Sequence, residues 1–456
     1  WPDAYYVGTN EGSSGAEIYA LDRTKMLAGQ TISTQRFVAS ELPNFGFQVL
    51  QPIDLDGATL PPAGAPGIFV RHRDDEVHDA GANDPNADRL ELFELDIDWT
   101  TPANSALVGP IHVPMAEFSS DINGLSAFNA FPQPSGQKLD PLREQVMFRP
   151  AYRSFGSFEQ IVGNLTTDVD GNDTGGVRWF ELRRTGGPSQ PWQLYQEGTV
   201  ALGDFVDRWM GAIATDQNGN IGLAYSVVRN TEHPAPNNTA VPAGLRFIGR
   251  LDGDPVDVMT TGEGSFVAGS GSQAGQRWGD YHAMNVDPAD GCTFWFTGEY
   301  VASNNWTTQI GGIRHDRCGT PQFMLNSADV RIDVCRADLP QSVPIDLDVL
   351  AQNGFVGNVG LQFGTLPADA SGSFSPTTVT APGSSVGTLN LGVGVPAGNV
   401  LIPVLASSGA LSKEFDVRLN VVAGSVNLIA PGDGALSQST MPALSWSPNG
   451  DTTQYL

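Results

Sequence analysis

Lysine and cysteine are both scarce in this chain. Lys25, Lys138 and Lys413 are the only lysines in 456 residues, and Cys292, Cys318 and Cys335 the only cysteines. With 24 Lys+Arg against 50 Asp+Glu the net charge is −26. Nucleic-acid phosphates and anionic membrane surfaces would repel such a chain, so no nucleic-acid partner is expected. No apolar run reaches about 18 residues, which excludes a transmembrane helix and membrane insertion by one. Glycine has no three-residue period, so collagen is excluded. The cysteines form no CxxC pair and no His cluster stands at zinc spacing, which argues against a structural zinc. GxSxG, HExxH, Walker and dinucleotide-binding fingerprints are absent, and no cofactor is required by any motif.

What is present suits many short strands. Hydrophobic residues make up 40% and aromatics 9%, enough for real cores, while 53 Gly and 32 Pro supply dense turn punctuation. Cys318 lies 26 residues after Cys292, a step that suits a disulfide closing one supersecondary unit, worth roughly 3 kcal/mol in the loop-entropy model. Three buried thiols are the alternative, and Cys335 has no assigned partner. Sparse Lys, acidity and Gly/Ser/Thr/Asn richness favour export to the cell surface or medium, where a disulfide persists. The chain opens at Trp1 and closes just after an apparent strand, Ala443-Leu-Ser-Trp446, so both ends read as cuts in a longer chain.

A repeat organises the first 320 residues. Glu17-Ile-Tyr-Ala-Leu-Asp22, Glu91-Leu-Phe-Glu-Leu-Asp96, Arg178-Trp-Phe-Glu-Leu-Arg183, Arg246-Phe-Ile-Gly-Arg-Leu251 and Gln309-Ile-Gly-Gly-Ile-Arg314 all alternate as half-buried strands do. Most follow another strand, such as Gly67-Ile-Phe-Val-Arg71 or Cys292-Thr-Phe-Trp-Phe296, and an inner strand before that, such as Phe47-Gln-Val-Leu50, Met210-Gly-Ala-Ile-Ala214 or Tyr281-His-Ala-Met-Asn285. Four antiparallel strands recurring roughly every 60 to 90 residues define a propeller blade. The spacing predicts a propeller over residues 1–320, of five blades, or six if a long unit holds two. Asp216-Gln-Asn-Gly-Asn220 and Asp287-Pro-Ala-Asp-Gly291 supply hairpin turns.

Arg277-Trp-Gly-Asp-Tyr281 and its continuation to Phe296, with Trp1-Pro-Asp-Ala-Tyr-Tyr6, Tyr152-Arg-Ser-Phe-Gly156 and Arg208-Trp-Met-Gly211, resemble the RWGDY-type propeller family of exported multidomain bacterial proteins, some labelled sialidase-like. The resemblance implies bacterial export and modular neighbours, and carries no agreed catalytic residues. His282 stands where that family usually has Ser. The sialidase label sits poorly with the residues, because Asp-box loops are absent. It would require Arg153, Arg208 and Arg277 to converge on a carboxylate near Tyr5, Tyr152 or Tyr281.

Beyond about Asp329 the composition turns to Val, Leu, Ser and Gly in short turn-bounded strands. An all-β sandwich over residues 328–423 is expected, similar to bacterial Ig-like modules. Residues 425–456 resemble the truncated opening of a fibronectin type III module.

Asp168-Val-Asp-Gly-Asn-Asp173 places Asp168, Asp170 and Asn172 as the start of a calcium loop, but Trp179 stands where the loop's Glu belongs. A polar hairpin tip is the plainer reading. The run Arg71-His-Arg-Asp-Asp-Glu-Val-His-Asp79, reaching Asp88, reads as a long solvated hairpin loop able to take a cation. Arg208/Trp209 and Arg277/Trp278 precede inner strands. Either their Trp faces stack on sugars while Arg binds carboxylates, or Trp wedges between blades while Arg pairs with a neighbouring blade's carboxylate. Asp280, Tyr281 and His282 insert two residues relative to the preceding blade, and an insertion at a rim marks the best candidate site. His282 could act as acid or base near neutral pH.

These residues support an exported binding or scaffold module, its propeller face holding a glycan or surface protein through Arg277, Trp278, Asp280, Tyr281, His282, Arg208, Trp209, Arg153 and Tyr5. The alternative is a glycan hydrolase or lyase with Asp280, Glu299 and Asp3 as carboxylates. A third reading is a self-assembling subunit of a surface structure. If Asp280 and its neighbours are locked in inter-blade salt bridges, the enzyme reading fails.

Overall fold

The computed structural model describes residues 1–9, 15–43, 49–79, 81–124, 128–231 and 239–422, together with the backbone of two strands beyond them. The chain divides into two compact units, Trp1–Thr320 and Pro321–Leu456.

The first unit is a five-bladed β-propeller. Blade 1 pairs Ala4–Thr9, Glu17–Asp22 and Thr34–Val38. Blade 2 pairs Gln51–Pro52, Gly67–Arg73, Arg89–Asp96 and Ala106–Pro114. Blade 3 pairs Ala151–Ser154, Phe158–Asp168, Gly175–Thr185 and Gln193–Val200, with Asp54–Asp56 added in parallel at its inner edge. Blade 4 pairs Asp207–Thr215, Ile221–Arg229, Val241–Arg250 and Gly264–Val267, and blade 5 pairs Ala283–Val286, Phe294–Ala302 and Asn305–Ile313. The expected strand at Phe47–Leu50 falls partly outside the described residues.

Period-two alternation lets one strand serve two seams. Leu90 and Leu92 pack towards blade 3 with Ile161 and Phe180, while Phe93 and Leu95 pack towards blade 1 with Ile18 and Ala20. Val162 and Trp179 meet Ile213 and Tyr225 of blade 4, whereas Ala212 and Ala214 meet Phe294 and Phe296 of blade 5. The outward faces of blades 1 and 5 are not covered in this way: Tyr5, Val7 and Val38 on one and Trp295, Trp306 and Ile310 on the other are exposed.

The long unit between blades 2 and 3 does not hold a sixth blade. Among the described residues, 115–150 carry only a two-stranded hairpin, Phe131–Pro132 with Lys138–Leu139, and fill the channel between blades by packing Phe131, Leu139 and Met147 on Trp209 of blade 4 and on Trp278 and Val301 of blade 5. Gln145 accepts from Gln51 of blade 2 (3.3 Å) and donates to the Tyr281 hydroxyl (2.7 Å). Arg149 reaches Asp54 (2.8 Å), Asp56 (2.6 Å) and the Met284 carbonyl of blade 5 (2.8 Å). The Trp209 indole of blade 4 donates to the Asp140 carbonyl (3.1 Å).

Cys292 and Cys318 form the expected disulfide, with Cα atoms 5.6 Å apart. Cys335 lies outside it, in the second unit. No helix among the described residues is long and apolar enough to cross a membrane, which says nothing of strands.

The second unit is a β-sandwich. One sheet runs Gln322–Asn326, Gln341–Gln352, Gly383–Leu391, Ala370–Ser375, and the other Arg331–Cys335, Leu411–Val422, Gly398–Ser408, Asn358–Phe363, Thr378–Thr380. Its first strand precedes the expected start at 328, because Gln322–Asn326 pairs with Gln341–Gln352 instead of completing blade 5. Leu347, Val349, Phe374, Val404, Phe415 and Val417 are among its buried apolar side chains. Beyond it Ser425–Ala430 pairs with Ser445–Asn449, and the fibronectin-like features at 431–444 lie outside the described residues.

Candidate functional site

The sequence Arg277–His282 builds a turn ahead of blade 5's inner strand, which starts at Ala283 and not at Tyr281. Gly279 has φ +72°, and a Cβ there would lie 2.9 Å from Met210 Cγ, so the turn demands glycine. Its amide donates to Glu299 Oε2 (2.8 Å), from the middle strand of blade 5. The Glu299 amide in turn donates to His282 Nε2 (3.0 Å). These two bonds fasten the inserted residues to the strand behind them.

Asp280, Tyr281, Glu299, Thr297 and Thr308 line a half-open cavity of about 210 Å³. Thr297 and Glu299 alternate along one strand, and Thr308 sits directly across from Glu299 on the next. Burial raises the Glu299 carboxyl, the Gly279 amide opposes this, and the charge of Asp280 raises it again. Burial also raises Asp280 above the ordinary range, against the pull of Arg277. Arg277 is 67% exposed, pairs with Asp280 and lies 3.6 Å from buried Asp140. Asp280 is therefore paired within its own turn and not across a blade seam, and no salt bridge to Glu299 occurs among the described residues.

The other expected site residues lie elsewhere. Trp209 and Trp278 are fully buried with ring centroids 5.8 Å apart, and the Trp278 indole donates to Ser226 Oγ (2.8 Å), so neither offers a face to a ligand. Arg208 is buried against Asp204 (2.8 Å) and Glu263 (2.9 Å). Both partners belong to blade 4 or its entry, where a neighbouring blade's carboxylate was expected. Arg153 is buried and donates to the Thr215 carbonyl (2.9 Å), joining blade 3 to blade 4. Arg153, Arg208 and Arg277 thus serve separate sets of partners, and the three-arginine carboxylate clamp is not formed.

Asp3 accepts from the Tyr6 hydroxyl (2.9 Å), and Tyr5 sits on blade 1's outward face with Arg23 5.9 Å from its ring centre; neither lines the cavity. His282 is buried, which holds its pKa down to about 3, so it is a neutral positioning group and not an acid or base near pH 7. Asp168 spends its carboxylate on the amides of Asp170, Gly171 and Asp173, each 3.0 Å away, and Asn172 donates to the Asp170 carbonyl. This is the self-satisfied polar hairpin tip between two strands of blade 3.

Thr297, Thr308 and Gln145 were missed by sequence reasoning. The alternation that places Glu299 outward also places Thr297 outward, so that pair was within reach; Gln145, 136 residues from its Tyr281 partner, gave no local signal.

No family model matches the sequence, and no curated protein matches it. Among solved structures, the GH93 α-L-arabinofuranosidase of Fusarium graminearum, in complex with arabinobiose, is 10% identical, over 65% of this chain and 85% of its own, with a TM-score of 0.30. The Bombyx mori GH32 β-fructofuranosidase is 9% identical over 93% of this chain and 84% of its own, TM-score 0.30. Domains 4 and 5 of the S-layer protein SbsC are 16% identical over 47% of this chain and 99% of their own, TM-score 0.17.

Proposed function

We propose that the chain is an exported modular glycan hydrolase of the RWGDY-type propeller family, with its site in the blade 5 cavity and an Ig-like sandwich as spacer. The observation that carries this is the pairing of Asp280 and Glu299 in one half-open polar cavity, each raised by burial and Glu299 further raised by its neighbour. Two carboxyls whose surroundings separate their roles are what glycoside hydrolysis needs. Glu299, with no ion pair among the described residues, is the proton donor; Asp280, beside the Arg277 guanidinium that favours its charged form against burial, faces the developing positive charge. Tyr281, Thr297 and Thr308 offer hydroxyls for orienting a sugar. Turnover of a panel of aryl glycosides and oligosaccharides tests this, with Glu299→Gln expected to cost at least about a hundredfold in kcat. Absence of turnover across the panel would count against the enzyme.

A second reading is glycan binding without hydrolysis, supported by exposed Trp295 and Trp306 on the strands that carry Thr297, Glu299 and Thr308. Binding on a glycan array without turnover, lost in Trp306→Ala, selects it.

A further inference from the structure

The expected solvated loop between the second and third strands of blade 2 is instead a folded, buried acidic knot. Asp74 caps a single turn, Asp75–His78, through the Val77 amide (3.2 Å). Asp74, Asp75, Glu76 and Asp88 each bring an oxygen within 4.8 Å of the others. Asp74, Asp75 and Asp88 are at most 1% exposed. None of the four is ion-paired among the described residues, since Arg73 pairs with Asp79 and Glu91, and Arg89 approaches Glu91.

A second observation points to a ligand. Asp75 Oδ2 accepts from the Asp84 amide (2.7 Å), and buried Oδ1 has no hydrogen-bond partner. Glu76 places Oε1 on the Asn83 side-chain amide (2.6 Å) and shares hydrogen bonds with the Asp74 and Glu117 carboxyls, so it adds to the crowding. A buried carboxylate oxygen without a donor costs stability unless a proton or a cation sits against it. Four carboxylates crowded without counter-charge multiply that cost.

We propose that Asp74, Asp75, Glu76 and Asp88 bind one calcium ion. Oxygens bound to a common calcium at about 2.4 Å stand at most about 4.8 Å apart, a limit that one oxygen from each of the four residues satisfies. The donors are all hard oxygens, which select calcium over zinc or copper. The ion would act as a clamp. Asp88 Oδ2 accepts from the Phe118 amide (2.7 Å) and Asp74 Oδ2 from the Ser120 hydroxyl (2.7 Å). The Ser119 carbonyl in turn accepts from the Asp168 amide (2.8 Å) of blade 3. The knot therefore ties blade 2's loop to the start of the channel-filling segment, and through it to blade 3.

The test is metal analysis and thermal melting of the whole chain. After dialysis against about 1 mM calcium, roughly one calcium per chain is expected, with a melting temperature a few degrees above that in EDTA. Asp75→Asn should lose both the bound metal and the calcium response, while Asp170→Asn, at the exposed hairpin tip, keeps both. No bound calcium in the wild-type chain overturns the proposal. So does an Asp75→Asn chain that melts higher than wild type in calcium and EDTA alike, the sign of repulsion relieved where no ion binds. If Asp75→Asn fails to fold, a calcium titration of the wild type with Glu76→Gln beside it decides, and an equal calcium response in the two overturns the assignment.

Discussion

Blades 4 and 5 begin with the same dipeptide and use half of it differently. Trp209 and Trp278 do one job, meeting each other in the channel with Phe131, Leu139 and Met147 of the filling segment. Arg208 and Arg277 part company. Arg208 is buried and held by two carboxylates, and Glu263 also takes the Tyr225 hydroxyl (2.7 Å) and Arg246 (2.7 Å). Burial pulls the Arg208 pKa down, but Asp204 and Glu263 outweigh it and leave it raised. Arg277 is largely exposed beside Asp280. A repeat thus conserves what the seam needs and frees what the rim can use. The two inserted residues of blade 5 turn a structural arginine into one facing solvent.

The equal half of the comparison has the largest expected effect. Trp209→Ala and Trp278→Ala should each cost about 3–5 kcal/mol, because both leave a large cavity in one shared cluster. Denaturant unfolding of the two variants checks this. A Trp278→Ala chain with wild-type stability but no glycan affinity would break the comparison and return Trp278 to the site.

The unequal half comes next. Arg208→Ala leaves Glu263 and Asp204 facing each other without their shared cation, and removing one partner of a buried ion pair costs about 3–5 kcal/mol. Arg277→Ala should cost at most about 1 kcal/mol, as expected for an exposed pair. Its effect belongs instead to turnover or binding at the cavity. Equal losses of stability in the two variants would mean that Arg277 is structural as well.

The blades were legible because their information is local. Alternation is written along each strand, and the Asp216–Asn220 turn is closed by Asp216 accepting from the Asn218 (2.8 Å) and Asn220 (3.0 Å) amides. The inserted Asp280–His282 was legible for the same reason, as a break in a repeat. What fills the channel was not, because residues 115–150 have no period and partners such as Trp209 and Tyr281 stand 69 and 136 residues from Asp140 and Gln145. Alternation also names two faces of a strand without saying which is covered, so exposed Trp295 could not be told apart from buried Phe294 and Phe296. The acidic run at 74–88 was read as solvated because charge usually is; the amides of Phe118 and Ser120, some thirty or more residues on, made its burial possible.

The same two blades carry opposite responses to acid. In blade 4, burial pushes Asp207 up to about 7, so the folded chain prefers it protonated and loses stability as pH rises from about 4 towards 7. In blade 5, burial holds His282 down at about 3 against an ordinary value of 6.5. The folded state keeps the ring neutral while the unfolded chain takes up a proton, so stability falls as pH drops from 6.5 towards 3. At pH 5 the His282 contribution is a loss of about 2 kcal/mol relative to pH 7. His72 and His78, held down to about 4 and about 3, act in the same direction from blade 2, so only a difference between variants isolates blade 5. Unfolding of wild type and His282→Asn at pH 5 and pH 7 should show a smaller pH-dependent loss in the variant, by about 2 kcal/mol. Identical losses would mean that His282 takes its proton in the folded state, and would reopen its role as an acid at the cavity.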